Sequence, residues 1–332
     1  MLSEWCERYP MLFGKMTHSI RAGLLERIGF QGVRPPAPAV EGRFVEATHA
    51  SVHGARFYKA YLPSRGEGRK RPLVVMLHGC KQNPDDFAAG TRMNELADEL
   101  GFIVVYPRQA RAANASRCWN WFRSADQKRD GVEPSLIAGI TREAIARYDA
   151  DPRRIYIAGL SAGGAMAAIM GHTHPDLYAA IGIHSGLAYG SARDLPSALA
   201  AMRGQEPVSA AQAAAPRRRV PTIVFHGDED STVHPSNGRR VIARATPAPG
   251  AGGAPTPLTV ERGEARGLGY TRTAQADPSG RPLLEHWIVH GAGHAWSGGS
   301  GEGSYADPRG PEASREMLRF FLRFSLTPPR LQ

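Results

Sequence analysis

A serine sits among small residues in Gly159-Leu160-Ser161-Ala162-Gly163, the pattern G-x-S-x-G. In a chain with 37 glycines such a match arises easily by chance, so the setting has to decide its meaning. The motif follows the apolar run Ile155-Tyr156-Ile157-Ala158 and opens the helix-like stretch Ala162–Met170. A strand, a sharp turn and a helix in that order lift the serine hydroxyl above a sheet, with the helix N-terminus behind it to favour developing negative charge. The bland alternative is a serine that caps a helix at an ordinary turn. A serine hydroxyl is a poor nucleophile at its free pKa. It needs a general base, and the base needs a carboxylate to orient it.

Acid and then histidine are expected to follow such a serine along the chain. Thr222–His226 reads as a strand that runs into Gly227-Asp228-Glu229-Asp230. Acids at the C-terminal end of a parallel strand face the same rim as the serine. Asp228 and Asp230 both qualify. Asp230 is preferred because it lies deeper in the loop that must reach the histidine, which leaves Asp228 as a turn former. His294 lies in Gly291-Ala292-Gly293-His294-Ala295-Trp296, a loop that glycines allow to bend. It is preferred as the base over His290, His226 and His184, which fall at strand ends. A tetrahedral intermediate also needs backbone N–H donors. Ala162, after the serine, is one candidate, and Cys80, in the loop His78-Gly79-Cys80, is the other.

These groups require a scaffold, and the hydropathy pattern supplies one. Gly42–Ala60 alternates as a leading hairpin, and Pro72–His78 is a continuous apolar run of the kind a buried parallel strand shows. Thr91–Leu100 reads as helix, Phe102–Tyr106 as strand and Leu136–Tyr148 as helix. Ala179–His184 and His286–Val289 read as strands, and Glu312–Phe324 as a closing helix. Alternating strands and helices predict an α/β fold with a mostly parallel central sheet flanked by helices on both faces. The catalytic domain is expected over residues 42–327. Stretches 187–219 and 246–285 read as insertions that wall the site, with a hairpin turn at Gln275–Gly280. Residues 1–41 stand apart. Phe13, Met16, Ile20, Leu24 and Ile28 give residues 13–29 an apolar stripe, and a proline-rich linker follows. Such a helix packs on the domain or anchors to an apolar surface such as a polymer granule.

Composition removes several classes. The 332 residues carry 41 Lys+Arg against 31 Asp+Glu, a formal charge of +10. The basic residues are scattered, and no nucleic-acid-binding motif accompanies them, so a solvated basic surface is expected and no nucleic acid. No apolar run is long enough for a transmembrane helix. Three cysteines do not make a disulfide scaffold. Glu4, Glu7 and Arg8 interrupt the stretch where an export signal would be apolar. A cytoplasmic location is therefore expected, or secretion if the reading frame starts earlier or export is non-standard. His172-Thr173-His174 lacks further ligands, and neither a metal nor an organic cofactor is expected.

Five stretches together resemble one family. They are LHGCKQNPDDFAAGT (77–91), CWNWF (118–122), GLSAGGAM (159–166), HGDEDSTVHPSN (226–237) and GAGHAWSGG (291–299). In type and order they are similar to the poly(3-hydroxybutyrate) depolymerase-like esterases, relatives of feruloyl and acetylxylan esterases in the α/β-hydrolase superfamily. The resemblance implies catalytic Ser161, Asp230 and His294, with oxyanion donors at Cys80 and Ala162. It also implies a Cys80–Cys118 bridge, which a reducing cytoplasm would oppose. Trp119, Trp121 and Trp296 are expected as apolar walls of an acyl cleft, the alternative being core aromatics. The implied activity is serine-dependent hydrolysis of hydroxyalkanoate oligomers. Alternatives are a feruloyl, acetylxylan or short-chain carboxylesterase and, in another class, a non-catalytic protein that binds granules or surfaces.

Overall fold

The computed structural model describes residues 42–66, 68–205, 218–246, 258–277 and 279–327. The expected helix at 13–29, and all of residues 1–41, lie outside these. Ten strands form one sheet. They are β1 (Arg43–Ser51), β2 (Gly54–Leu62), β3 (Arg71–Leu77), β4 (Ile103–Pro107), β5 (Ala150–Leu160), β6 (Ala180–His184), β7 (Thr222–Gly227), β8 (Leu258–Ala265), β9 (Leu268–Ala276) and β10 (Pro282–Val289). Their order across the sheet is β1-β2-β4-β3-β5-β6-β7-β10-β9-β8. From β4 to β10 all neighbours are parallel, and antiparallel strands close both edges. Two short strands, β11 (Trp296–Ser297) and β12 (Ala306–Asp307), pair separately.

The apolar run Pro72–Leu77 explains why the sheet is buried on both faces. Leu73, Val75 and Leu77 feed one core, and Val74 and Met76 feed the other. Helices α1 (Pro84–Thr91), α2 (Met93–Leu100), α3 (Val132–Arg147), α4 (Ala162–Thr173), α5 (Leu195–Met202), α6 (Ser236–Ala245) and α7 (Ala313–Phe321) cover the two faces. Ile137 and Ile140 of α3 and Met166 of α4 pack on the first core. Phe87 of α1, Met93 of α2, and Met317 and Phe320 of α7 pack on the second.

Several boundaries differ from the expectation. The helix expected from Thr91 starts at Pro84, where Asn83 Oδ1 accepts from the Asp86 amide, and it breaks at Arg92, whose φ of 54° is left-handed. The stretch 187–219 contains α5, whose first turn is closed by reciprocal Asp194–Ser197 hydrogen bonds. Within the stretch 246–285, where it is described, β8 and β9 extend the sheet as a hairpin. Residues 258–264 are exposed on both faces of β8, so no alternation marked it. The turn expected near Gln275–Gly280 is present, with Asp277 Oδ1 accepting from the Ser279 and Arg281 amides.

Buried histidines, His78, His184 and His286 among them, make the fold acid-sensitive. His78 donates from Nδ1 to Gly79 O at 2.7 Å and accepts at Nε2 from the Gln109 amide, so its ring is neutral. His184 accepts at Nε2 from the Ser297 amide. Burial pushes the His184 pKa down to about 3, and those of His78 and His286 to about 4. In the unfolded chain each returns to about 6.5. The unfolded chain therefore binds more protons from about pH 6.5 down to the folded values. Each group then removes about 1.4 kcal/mol of stability per pH unit. The urea midpoint is expected to fall between pH 7 and pH 5; an unchanged or higher midpoint at pH 5 would contradict neutral burial.

Candidate active site

Ser161 occupies the turn between β5 and α4 with φ 57° and ψ −118°, a conformation in which a non-glycine residue is strained. The turn is possible because its neighbours are small. A Cβ at Gly163 would lie 2.0 Å from the Leu77 carbonyl oxygen, so the helix could not approach β3 with any side chain there. The Ser161 amide donates to His184 O at 2.9 Å, which ties the turn to the end of β6. The side chain stays partly accessible at the C-terminal rim of the sheet.

Asp230 and His294 arrive on the same rim from β7 and its parallel neighbour β10. His294 Nδ1 donates to Asp230 Oδ2 at 2.7 Å. Asp230 is buried, and its Oδ1 accepts from the Thr232 and Val233 amides at 3.0 and 2.8 Å. Burial alone would raise the Asp230 pKa. Hydrogen bonds from His226 and His294, and the Val233 amide, outweigh it and hold the carboxyl well below the usual range. An ionised carboxylate on Nδ1 leaves the Nε2 of His294 as the free face of the ring, the tautomer a general base needs.

Asp228, the competing acid, makes a different pair. Its Oδ2 accepts from His290 Nδ1 at 2.8 Å and its Oδ1 from the Gly291 amide at 2.7 Å. This pair is exposed, so it clamps the acid loop to the histidine loop at the surface. The Glu229 amide donating to Ala292 O adds to the clamp. A Cβ at Gly227 would fall 2.1 Å from the Ala292 carbonyl oxygen, so glycine is required for the two loops to meet.

The oxyanion loop is held from several sides. A Cβ placed on Gly79 would stand 3.7 Å from Ser161 Cβ, which sets this loop directly beside the serine. The Gly79 amide donates to Gln82 Oε1, and Gln82 Nε2 donates to Ser304 O. Among the described residues the Cys80 and Ala162 amides have no hydrogen-bond partner and remain available as donors. Cys80 is bridged to Cys118 across 38 residues. Closing a loop of that length is worth about 4 kcal/mol in unfolded-chain entropy. Behind the bridge, buried Glu133 accepts from the Asn120 amide, from Asn120 Nδ2 and from Gln109, which holds the segment that carries Cys118.

The tryptophans correct an expectation. Trp119, Trp121 and Trp296 are 1%, 6% and 1% exposed, so they belong to the core and form no open wall. Trp119 Nε1 donates to His78 O, and Trp296 lies against His184 and Phe87 while donating to Ser314 Oγ. They support the loops that carry the site. Two supporting residues went unread in the sequence. Gln82 gave no signal because its partner lies 222 positions away. His184, at a strand end and not the base, underlies both Ser161 and the loop after β10.

A mostly parallel sheet with helices on both faces, a serine on a strained strand–helix turn, and an acid–histidine pair after later strands define an α/β-hydrolase. The chain belongs to the family described as Esterase PHB depolymerase, whose model matches residues 56–249. It is 31% identical over 243 residues to poly(3-hydroxyalkanoate) depolymerase C of Paucimonas lemoignei, covering 70% of this chain and 57% of that one. It is 35% identical over 130 residues to feruloyl esterase B of Neurospora crassa, covering 39% and 43% of the two chains. The chain thus spans less than two thirds of the length of these relatives. The acetyl xylan esterase from Aspergillus awamori shares the fold, with a TM-score of 0.61 at 19% identity over 83% of this chain and 98% of that one.

Proposed function

We propose that this chain is a serine hydrolase of carboxylic esters, with hydroxyalkanoate oligomers as its substrates. The observation that carries this reading is the buried Asp230–His294 hydrogen bond on the rim that also bears the strained Ser161 turn. Ser161 Oγ attacks the ester carbonyl while His294 takes its proton. The Cys80 and Ala162 amides stabilise the oxyanion, and losing one such donor costs on the order of 3 kcal/mol of transition-state stabilisation. His294 then protonates the leaving alkoxide, which departs as an alcohol. Water, with His294 again as base, hydrolyses the acyl-enzyme and regenerates Ser161.

The hydroxyalkanoate substrate rests on the likeness to the depolymerase of Paucimonas lemoignei. A second reading, an aryl or acetyl ester on a polysaccharide, rests on the likeness to feruloyl esterase B and to the acetyl xylan esterase. A panel of p-nitrophenyl acetate and butyrate, methyl ferulate, acetylated xylan and a 3-hydroxybutyrate oligomer separates the two. The oligomer is expected to give the highest kcat/KM. A preference for ferulate or acetylated xylan would move the substrate to the second reading, and inactivity on every ester would overturn both.

A further inference from the structure

We propose that the oxyanion loop carries an anion subsite, in which Lys81 and Arg117 recognise a free carboxylate on the ester substrate. The inference rests on the serine-esterase reading and names the substrate class of that same site. Lys81 follows Cys80 and Arg117 precedes Cys118, so the bridge sets the two cations side by side. The Lys81 amide donates to Ser116 O at 2.7 Å, and Arg117 Nη2 donates to Lys81 O. Gly79, two residues before Lys81, stands beside Ser161.

Both residues are left-handed, with φ 67° at Lys81 and 54° at Arg117. Glycine would adopt that conformation without strain, and asparagine more easily than either. Two such positions flank the oxyanion loop, and both carry cations. Their surroundings share the sign. Arg108, Arg111 and Arg123 are exposed on the segment after β4, with Glu46 and Asp85 as the acids that share a groove with Arg108. Among the described residues none of these five cations forms an ion pair. The field reaches the site, since Arg117 and Arg108 add to the effect of burial in lowering the His78 pKa, and His78 directly precedes Gly79. Asp86 opposes them there; its carboxylate accepts from the Ser304 amide and hydroxyl and is turned toward that loop, while the cations remain in excess.

An ester with a carboxylate would meet a predominantly cationic rim next to the loop that faces Ser161. A hydroxyalkanoate oligomer cut from a chain ends in such a group. The test uses two matched pairs. One is p-nitrophenyl hydrogen adipate against p-nitrophenyl hexanoate, which places the carboxylate on the acyl side. The other is the 3-hydroxybutyrate trimer as free acid against its methyl ester, which places it on the alcohol side. At low ionic strength kcat/KM is expected to favour the anionic member of at least one pair roughly tenfold, as steering by a cationic rim does. That preference is expected to collapse near 0.5 M salt, with the neutral member little affected. Lys81→Gln with Arg117→Gln should lower the anionic-to-neutral ratio roughly tenfold. Lys81→Gln alone, which removes no side-chain hydrogen bond among the described residues, should lower it in the same direction. Equal, salt-insensitive specificity in both pairs would overturn the subsite and leave the esterase standing. Failure of all four esters would overturn the esterase reading itself.

Discussion

Ser161→Ala is expected to lower kcat on p-nitrophenyl butyrate on the order of a million-fold, the scale seen when the nucleophile of a triad is removed. The structural cost should be small. Alanine is smaller than serine, the left-handed turn is already enforced by the neighbouring glycines, and the Ser161 side chain holds no hydrogen bond among the described residues. The turn depends on the backbone of residue 161, through its amide to His184 O and its carbonyl to the Ala165 amide, and both survive the change. An unchanged thermal midpoint with lost turnover is therefore the expected pair of results. Retained turnover in a folded Ser161→Ala protein would place the nucleophile elsewhere.

Asp230→Asn should be the next largest, with kcat reduced on the order of ten-thousand-fold. The amide oxygen can still accept from the Thr232 and Val233 amides, so the loop keeps its shape. What changes is the partner of His294 Nδ1. An amide nitrogen facing the ring donates rather than accepts, which favours the tautomer with its proton on Nε2 and removes the base. It also removes the charge that stabilises the imidazolium formed during attack. Asp228→Asn gives the contrast, because its carboxylate meets His290 and Gly291 at the surface and does not meet His294. Steady-state kinetics with both variants separates the roles: a large fall for Asp230→Asn and a modest one for Asp228→Asn. Equal falls would contradict the assignment of the acid.

The parts of this molecule that were legible in the sequence are those in which local chemistry and pattern agree. The run Pro72–Leu77 is apolar throughout because both faces of β3 are covered, and that reads directly as a buried parallel strand. Ser161 was legible because a strand, two glycines and a helix start converge on it. Asp230 and His294 followed from the ends of strands, and the structure brings the pair together. What stayed hidden depended on distance or on exposure. Strand β8 has no buried side to write an alternation. The break at Arg92 is a tertiary compromise at a residue that no turn rule marks. The tryptophans are ambiguous in sequence, because a large aromatic near a catalytic residue looks the same whether it lines a cleft or fills the space beneath one. Here the indole N–H groups of Trp119 and Trp296 find buried acceptors, His78 O and Ser314 Oγ, and the rings turn inward.

The most direct test of a serine acyl-enzyme is to trap it. The protein is treated with a fluorophosphonate, digested, and mapped by mass spectrometry for the modified residue. A single stoichiometric adduct on Ser161 is expected, formed at a rate that falls sharply in His294→Ala. No adduct, or an adduct on another residue with Ser161 unmodified, would contradict the mechanism.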